Sequence, residues 1–217
     1  MKLHPGVVLL LLCWGSAAQA SVATCQTTQA AAIQAMRAKG SSEDPTAQLQ
    51  LAALTGNAKS LNAAMASLQS APATTRATAL NEALAGAAWT GNQSALEALL
   101  VQGANPNATS DVTASAPIVL AAQCGHVEAM AALSKGGADL TSGSTPDRLD
   151  NVPRGALESA IAGDQAEAAE WLVDHGYEVC QGGERERLSA LLDRLGQSTA
   201  MPDSLRAKLA CQAAKEK

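Results

Sequence analysis

The stretch Ala116-Pro117-Ile118-Val119-Leu120-Ala121-Ala122-Gln123-Cys124-Gly125-His126 decides the fold, because the chain contains it twice. Its counterpart, 34 residues earlier, is Glu82-Ala83-Leu84-Ala85-Gly86-Ala87-Ala88-Trp89-Thr90-Gly91-Asn92. The segments that follow also align at that offset, Leu99-Leu100-Val101-Gln102-Gly103-Ala104-Asn105 with Leu133-Ser134-Lys135-Gly136-Gly137-Ala138-Asp139. A third copy begins at Leu157 and runs through Trp171-Leu172-Val173-Asp174-His175-Gly176, and a weaker one, Leu49-Gln50-Leu51-Ala52-Ala53-Leu54-Thr55-Gly56-Asn57, precedes the Leu84 copy by 35 residues. A fixed period of this length marks a stacked array, in which one unit cannot bury its apolar face alone and neighbours must supply the cover.

Each unit reads as two helices. An Ala-rich first helix stops at a Gly, a residue that tolerates the left-handed conformation at a helix end. A second helix such as Ser94-Ala95-Leu96-Glu97-Ala98-Leu99-Leu100 follows, with apolar residues at helical spacing, and ends at Gly103, Gly137 or Gly176 before a polar loop. The pattern resembles the ankyrin repeat: Ala116-Pro117-Ile118-Val119-Leu120-Ala121-Ala122 stands for the first-helix signature, Gly125-His126 for the turn and Gly137-Ala138-Asp139 for the loop entry. The resemblance covers residues 47–180, about four units, and implies an all-α ankyrin-repeat solenoid. The Thr and His of the family's first helix are absent from every copy, and Gly163-Asp164 puts Asp where the turn Gly belongs. Residues 21–46 and 181–217 are expected to be helical caps; Cys25, Ile33 and Met36 share a face of the first, which would cover the open end of the stack.

Composition agrees with thin layers. The 217 residues are 47% hydrophobic but only 2% aromatic, with three Trp, one Tyr and no Phe, so a core must be built from aliphatic residues and close Ala contacts. The net charge of −5 offers no basic surface to neutralise a phosphate backbone, which argues against a nucleic-acid partner.

Residues 1–20 read as a secretory signal peptide: Met1-Lys2, the apolar run Val7-Val8-Leu9-Leu10-Leu11-Leu12, and small residues at Ala18 and Ala20. The run is shorter than the roughly 20 residues a spanning helix needs, so the expected product is a chain of 21–217 with no membrane span, periplasmic or secreted, and monomeric. Export makes disulfides admissible for Cys25, Cys124, Cys180 and Cys211, and four cysteines allow three pairings. Cys180 and Cys211 both belong to the C-terminal end, which favours that pair. Cys25 and Cys124 should lie about two units apart, and would pair only if the N-terminal segment folds back along the stack.

Chemistry is sparse. His126 occupies the turn position that the family uses for hydrogen bonding, His175 sits at a helix end, and the Cys124/His126 pair has no third orienting group. No Cys or His pair has metal-ligand spacing, and no phosphate-cradling or nucleophile-elbow motif occurs, so no catalytic residue, metal or cofactor is expected. The resemblance implies a protein partner docked on the concave surface of first helices and loop fingers. The exposed first-helix positions would include Ala85, Val119 and Glu158, with Trp89 and Gln123 near the turn; Asp111, Asp147, Arg148 and Asp150 are the finger charges. Trp89 is the candidate anchor, with packing between repeats as the competing reading. The finger 141–154 is longer than its siblings, either a tolerated insertion or a binding element. Exported bacterial ankyrin-like proteins include accessory factors in peroxide resistance and immunity proteins against secreted toxic effectors, so the resemblance implies a non-catalytic interaction module of one of these kinds. The alternative from a different class is a thiol-based redox protein using Cys124.

Overall fold

A computed structural model of the chain describes residues 22–38, 44–111, 113–141, 155–177, 204, 205 and 207. The signal segment, Cys180, Cys211, and the finger residues Asp147, Arg148 and Asp150 lie outside them. The described residues form nine α-helices and no β-strand: α1 (Val22–Ala38), α2 (Pro45–Thr55), α3 (Ala58–Ser67), α4 (Ala73–Thr90), α5 (Gln93–Val101), α6 (Pro117–Gln123), α7 (Val127–Lys135), α8 (Ala156–Ala162) and α9 (Ala166–Asp174). Four helix pairs, α2/α3, α4/α5, α6/α7 and α8/α9, stack in order. The first helices α2, α4, α6 and α8 make one layer and the second helices α3, α5, α7 and α9 the other. This is the all-α ankyrin-repeat solenoid.

Local signals place the helix ends. The Asp44 carboxylate accepts the Thr46 N–H at 3.0 Å and Pro45 opens α2 with its fixed φ, while Asn57 and Asn92 cap α3 and α5 by accepting from Ser60 and Ala95. Three of the first helices, α4, α6 and α8, then close in a six-residue turn held by a backbone hydrogen bond. Asn92 donates to the Ala87 carbonyl (2.9 Å), His126 to Ala121 (2.9 Å) and Gln165 to Ala160 (2.8 Å). That turn needs a left-handed residue. Gly91 and Gly125 supply it with φ of 70° and 76°, and in the last unit Asp164 takes φ 57° in the same role. The sequence departure at Asp164 thus leaves the geometry intact, at the cost a Cβ pays in that region.

The core between the layers runs unbroken from Leu49 in α2 to Leu172 in α9 and on to Leu205. Leu84, Leu96, Leu99, Ile118, Met130, Leu133 and Leu157 are its fully buried members, and Ala83, Ala87, Ala121, Ala122, Ala160, Ala168 and Ala169 let the helices approach closely. None of the described side chains of α1 belongs to this core.

The strained position gives a direct test. Asp164→Gly should raise stability by about 0.5–1 kcal/mol, read as a higher urea midpoint at unchanged slope. A lower midpoint would mean that the Asp164 side chain holds the turn.

Candidate partner-binding surface

The row of first helices has two faces. One packs on the second helices; the other was expected to be open, with Trp89 as its anchor. Instead α1 lies across it. Cys25, Gln29 and Ala32, spaced as one helical stripe, are buried at 7%, 8% and 8% exposure, and they close a second, smaller cluster with Ala85, Trp89, Leu120, Cys124 and the half-buried Leu54. The face that α1 buries is therefore Cys25/Gln29/Ala32, while Ile33 and Met36 are only half covered. The helix runs back along the stack, from Cys25 at the end of α6, past Gln29 at the end of α4, toward α2.

Two contacts fix it. Cys25 and Cys124, 99 residues apart in the chain, form a disulfide with their Cα atoms 5.8 Å apart. The N-terminal segment thus folds back, the condition for this pairing, and Cys180 and Cys211 lie outside the described residues. The Gln29 side-chain amide donates to the Trp89 carbonyl. That carbonyl is one of the last in α4, where no intrahelical donor is available. Ala87 and Ala88 already receive the Asn92 and Gly91 N–H groups.

The same carbonyl takes a third residue. His126 Nε2 lies 3.1 Å from it, and because a carbonyl can only accept, Nε2 carries the hydrogen. Asn92, one unit earlier, donates likewise to the Ala53 carbonyl at 3.0 Å. His126 therefore ties unit three to unit two, as a turn residue and not as a base. Burial lowers its pKa below the ordinary 6.5, against smaller upward pulls from the Trp89 carbonyl and the Glu128 carboxylate.

Several expected surface positions are corrected by this geometry. Trp89, at 5% exposure, is covered by α1. Ala85 (2%) lies in the smaller cluster that α1 closes, and Val119 (2%) belongs to the continuous core. Glu158 (5%) is buried because its carboxylate turns back to accept the Gly155 N–H at 2.8 Å, capping α8. Gln123 is half-buried, and Asp111 alone of these residues is exposed. Cys124, bonded and 2% exposed, has no free thiolate, which removes the basis for a redox role through that thiol. Among the described residues no three His, Cys, Asp or Glu side chains group as a metal would require, and no helix is long and apolar enough to cross a membrane.

The fingers remain open to a partner, and they are built rigidly. Glu82 accepts from the Ser110 hydroxyl at 2.7 Å and from the Asp111 N–H at 2.6 Å, holding the 105–116 loop against α4. Asn81 accepts the Asn105 N–H at 2.8 Å. Asn107 bridges to the next finger, donating to the Gly137 carbonyl at 3.1 Å and accepting the Asp139 N–H at 2.7 Å, and Asp139 in turn orders Thr141. Asn105, Asn107, Asp111, Asp139 and Thr141 stand exposed along this edge. Of these, only Asp111 stands out as a finger charge in the sequence, although Asn105 and Asp139 align at the repeat offset and so signal a shared place in successive fingers.

Residues 84–182 match the family model described as ankyrin repeats, in three copies. The α2/α3 pair, packed as a fourth unit, lies before that match. No curated protein matches the chain. Ankyrin repeats as a class are protein-interaction units.

His126 makes the solenoid acid-sensitive in a defined window. With a folded pKa below the unfolded 6.5, the unfolded chain binds more protons as pH falls, so this contribution is whole above 6.5 and is lost progressively below it. His126→Asn, which keeps an amide donor in the register of Asn92, should flatten the fall in urea-unfolding free energy as the pH drops below 6.5. Parallel profiles for the two proteins would show that His126 is not the group responsible.

Proposed function

We propose that the chain is a non-catalytic protein-interaction module acting in an oxidising, extracytoplasmic compartment such as the bacterial periplasm, with the finger edge as its docking surface. The single observation that carries the reading is the ladder Glu82–Ser110/Asp111, Asn81–Asn105 and Asn107–Gly137/Asp139, which fixes the finger backbones while Asn105, Asn107, Asp111 and Asp139 stay exposed. A rigid polar edge loses little conformational freedom when it binds. The compartment is supported by the Cys25–Cys124 bond and by the signal-like residues 1–20. The finer role, an accessory factor in peroxide resistance, rests on the exported ankyrin-like proteins the sequence resembles.

A photo-crosslinking residue placed at Asp111, compared with one at Glu97 on the exposed side of α5, tests both levels. Adducts with one specific protein should form from position 111 and not from 97, and under the finer role that protein is a periplasmic catalase. Equal adducts from both sites, or none from 111, would contradict the finger edge as the docking surface; a specific partner of another class would remove the peroxide role alone.

A further inference from the structure

We propose that α1 is a redox-releasable strap, holding the apolar face around Leu54, Ala85, Trp89 and Leu120 closed while Cys25–Cys124 is oxidised and leaving it when a dithiol reduces that bond. Three features of the packing lead there. First, no described side chain of α1 belongs to the continuous core between the two helix layers, so that core has its apolar burial without them. Second, among its described side chains α1 buries a cysteine, a glutamine and an alanine, while the larger apolar residues Ile33 and Met36 stay half in water. Burial scales with apolar area, and most of a helix's stability in a protein comes from tertiary packing, so such a stripe holds weakly. The covalent bond therefore supplies much of the attachment. Third, Cys25 lies in the first turn of α1, the part of a helix that opens most readily, so a reductant reaches the sulfur by fraying one turn and not by melting the stack.

The chemistry is ordinary exchange. A thiolate of the dithiol attacks one sulfur of the Cys25–Cys124 bond and forms a mixed disulfide, releasing the other cysteine. The second thiol of the reductant then displaces its partner. Two electrons and two protons pass to the protein, giving two cysteine thiols, and the dithiol ends as a disulfide. With α1 gone, the Trp89 carbonyl loses the Gln29 amide but keeps His126, so the join between units two and three survives.

Hydrogen exchange of the full chain with and without dithiothreitol, and of the Cys25→Ser/Cys124→Ser double variant, separates strap from structural staple. Residues 22–38 should exchange roughly tenfold or more faster in the reduced chain and in the variant, while α4 to α7 keep their protection. Protection of 22–38 that survives in both would show that packing alone holds α1. Loss of protection across α4 to α7 along with it would show that the bond maintains the stack. Either result overturns the proposal.

Discussion

A carbonyl at the end of α4 and a sulfur at the end of α6 determine how this solenoid differs from a bare repeat stack. Both lie where first helices stop and backbone acceptors are left unsatisfied, and both are answered by one segment, α1, which brings Gln29 to Trp89 and Cys25 to Cys124. A third helix layer results over part of the first-helix row. The face that repeat architecture would leave as a groove is closed by the chain's own N-terminal helix, and Trp89 becomes the ring that this helix covers. In a chain with so few aromatic residues, that placement fills the space between small side chains of two layers that Ala alone would leave open.

The solenoid was legible because its information is local and repeated. Leu84, Ile118 and Leu157 recur in register, the Gly-ended turns mark every first helix, and these positions are the fully buried ones. Asp164 was legible as an exception and kept the turn because the requirement there is on φ, which Asp can meet. The strap was not legible to the same degree. Its pairing partner is 99 residues away, and its buried stripe of Cys25, Gln29 and Ala32 carries no amphipathic signal that would select it over Ile33 and Met36. Trp89 was misplaced because a repeat pattern says nothing about what a non-repeating segment lays over the open side, whereas Val119 enters the continuous core and Glu158 turns back on Gly155, side-chain placements that the repeat register does not show.

Function follows from where closure leaves free surface. Covering the first-helix face shifts the accessible polar groups to the finger edge, where Asn81, Glu82 and Asn107 spend their side chains on positioning backbone. His126 belongs to the same logic, since its burial and its bond to the Trp89 carbonyl suit a joint between units.

The closed face depends on one connectivity among the three that four cysteines permit. Tryptic digestion of the purified oxidised chain without reductant, followed by mass spectrometry, reads it directly. The account predicts that the peptide ending at Arg37, which carries Cys25, is covalently joined to the peptide 77–135, which carries Cys124. Recovery of the Cys25 peptide joined instead to a peptide bearing Cys180 or Cys211 would contradict it.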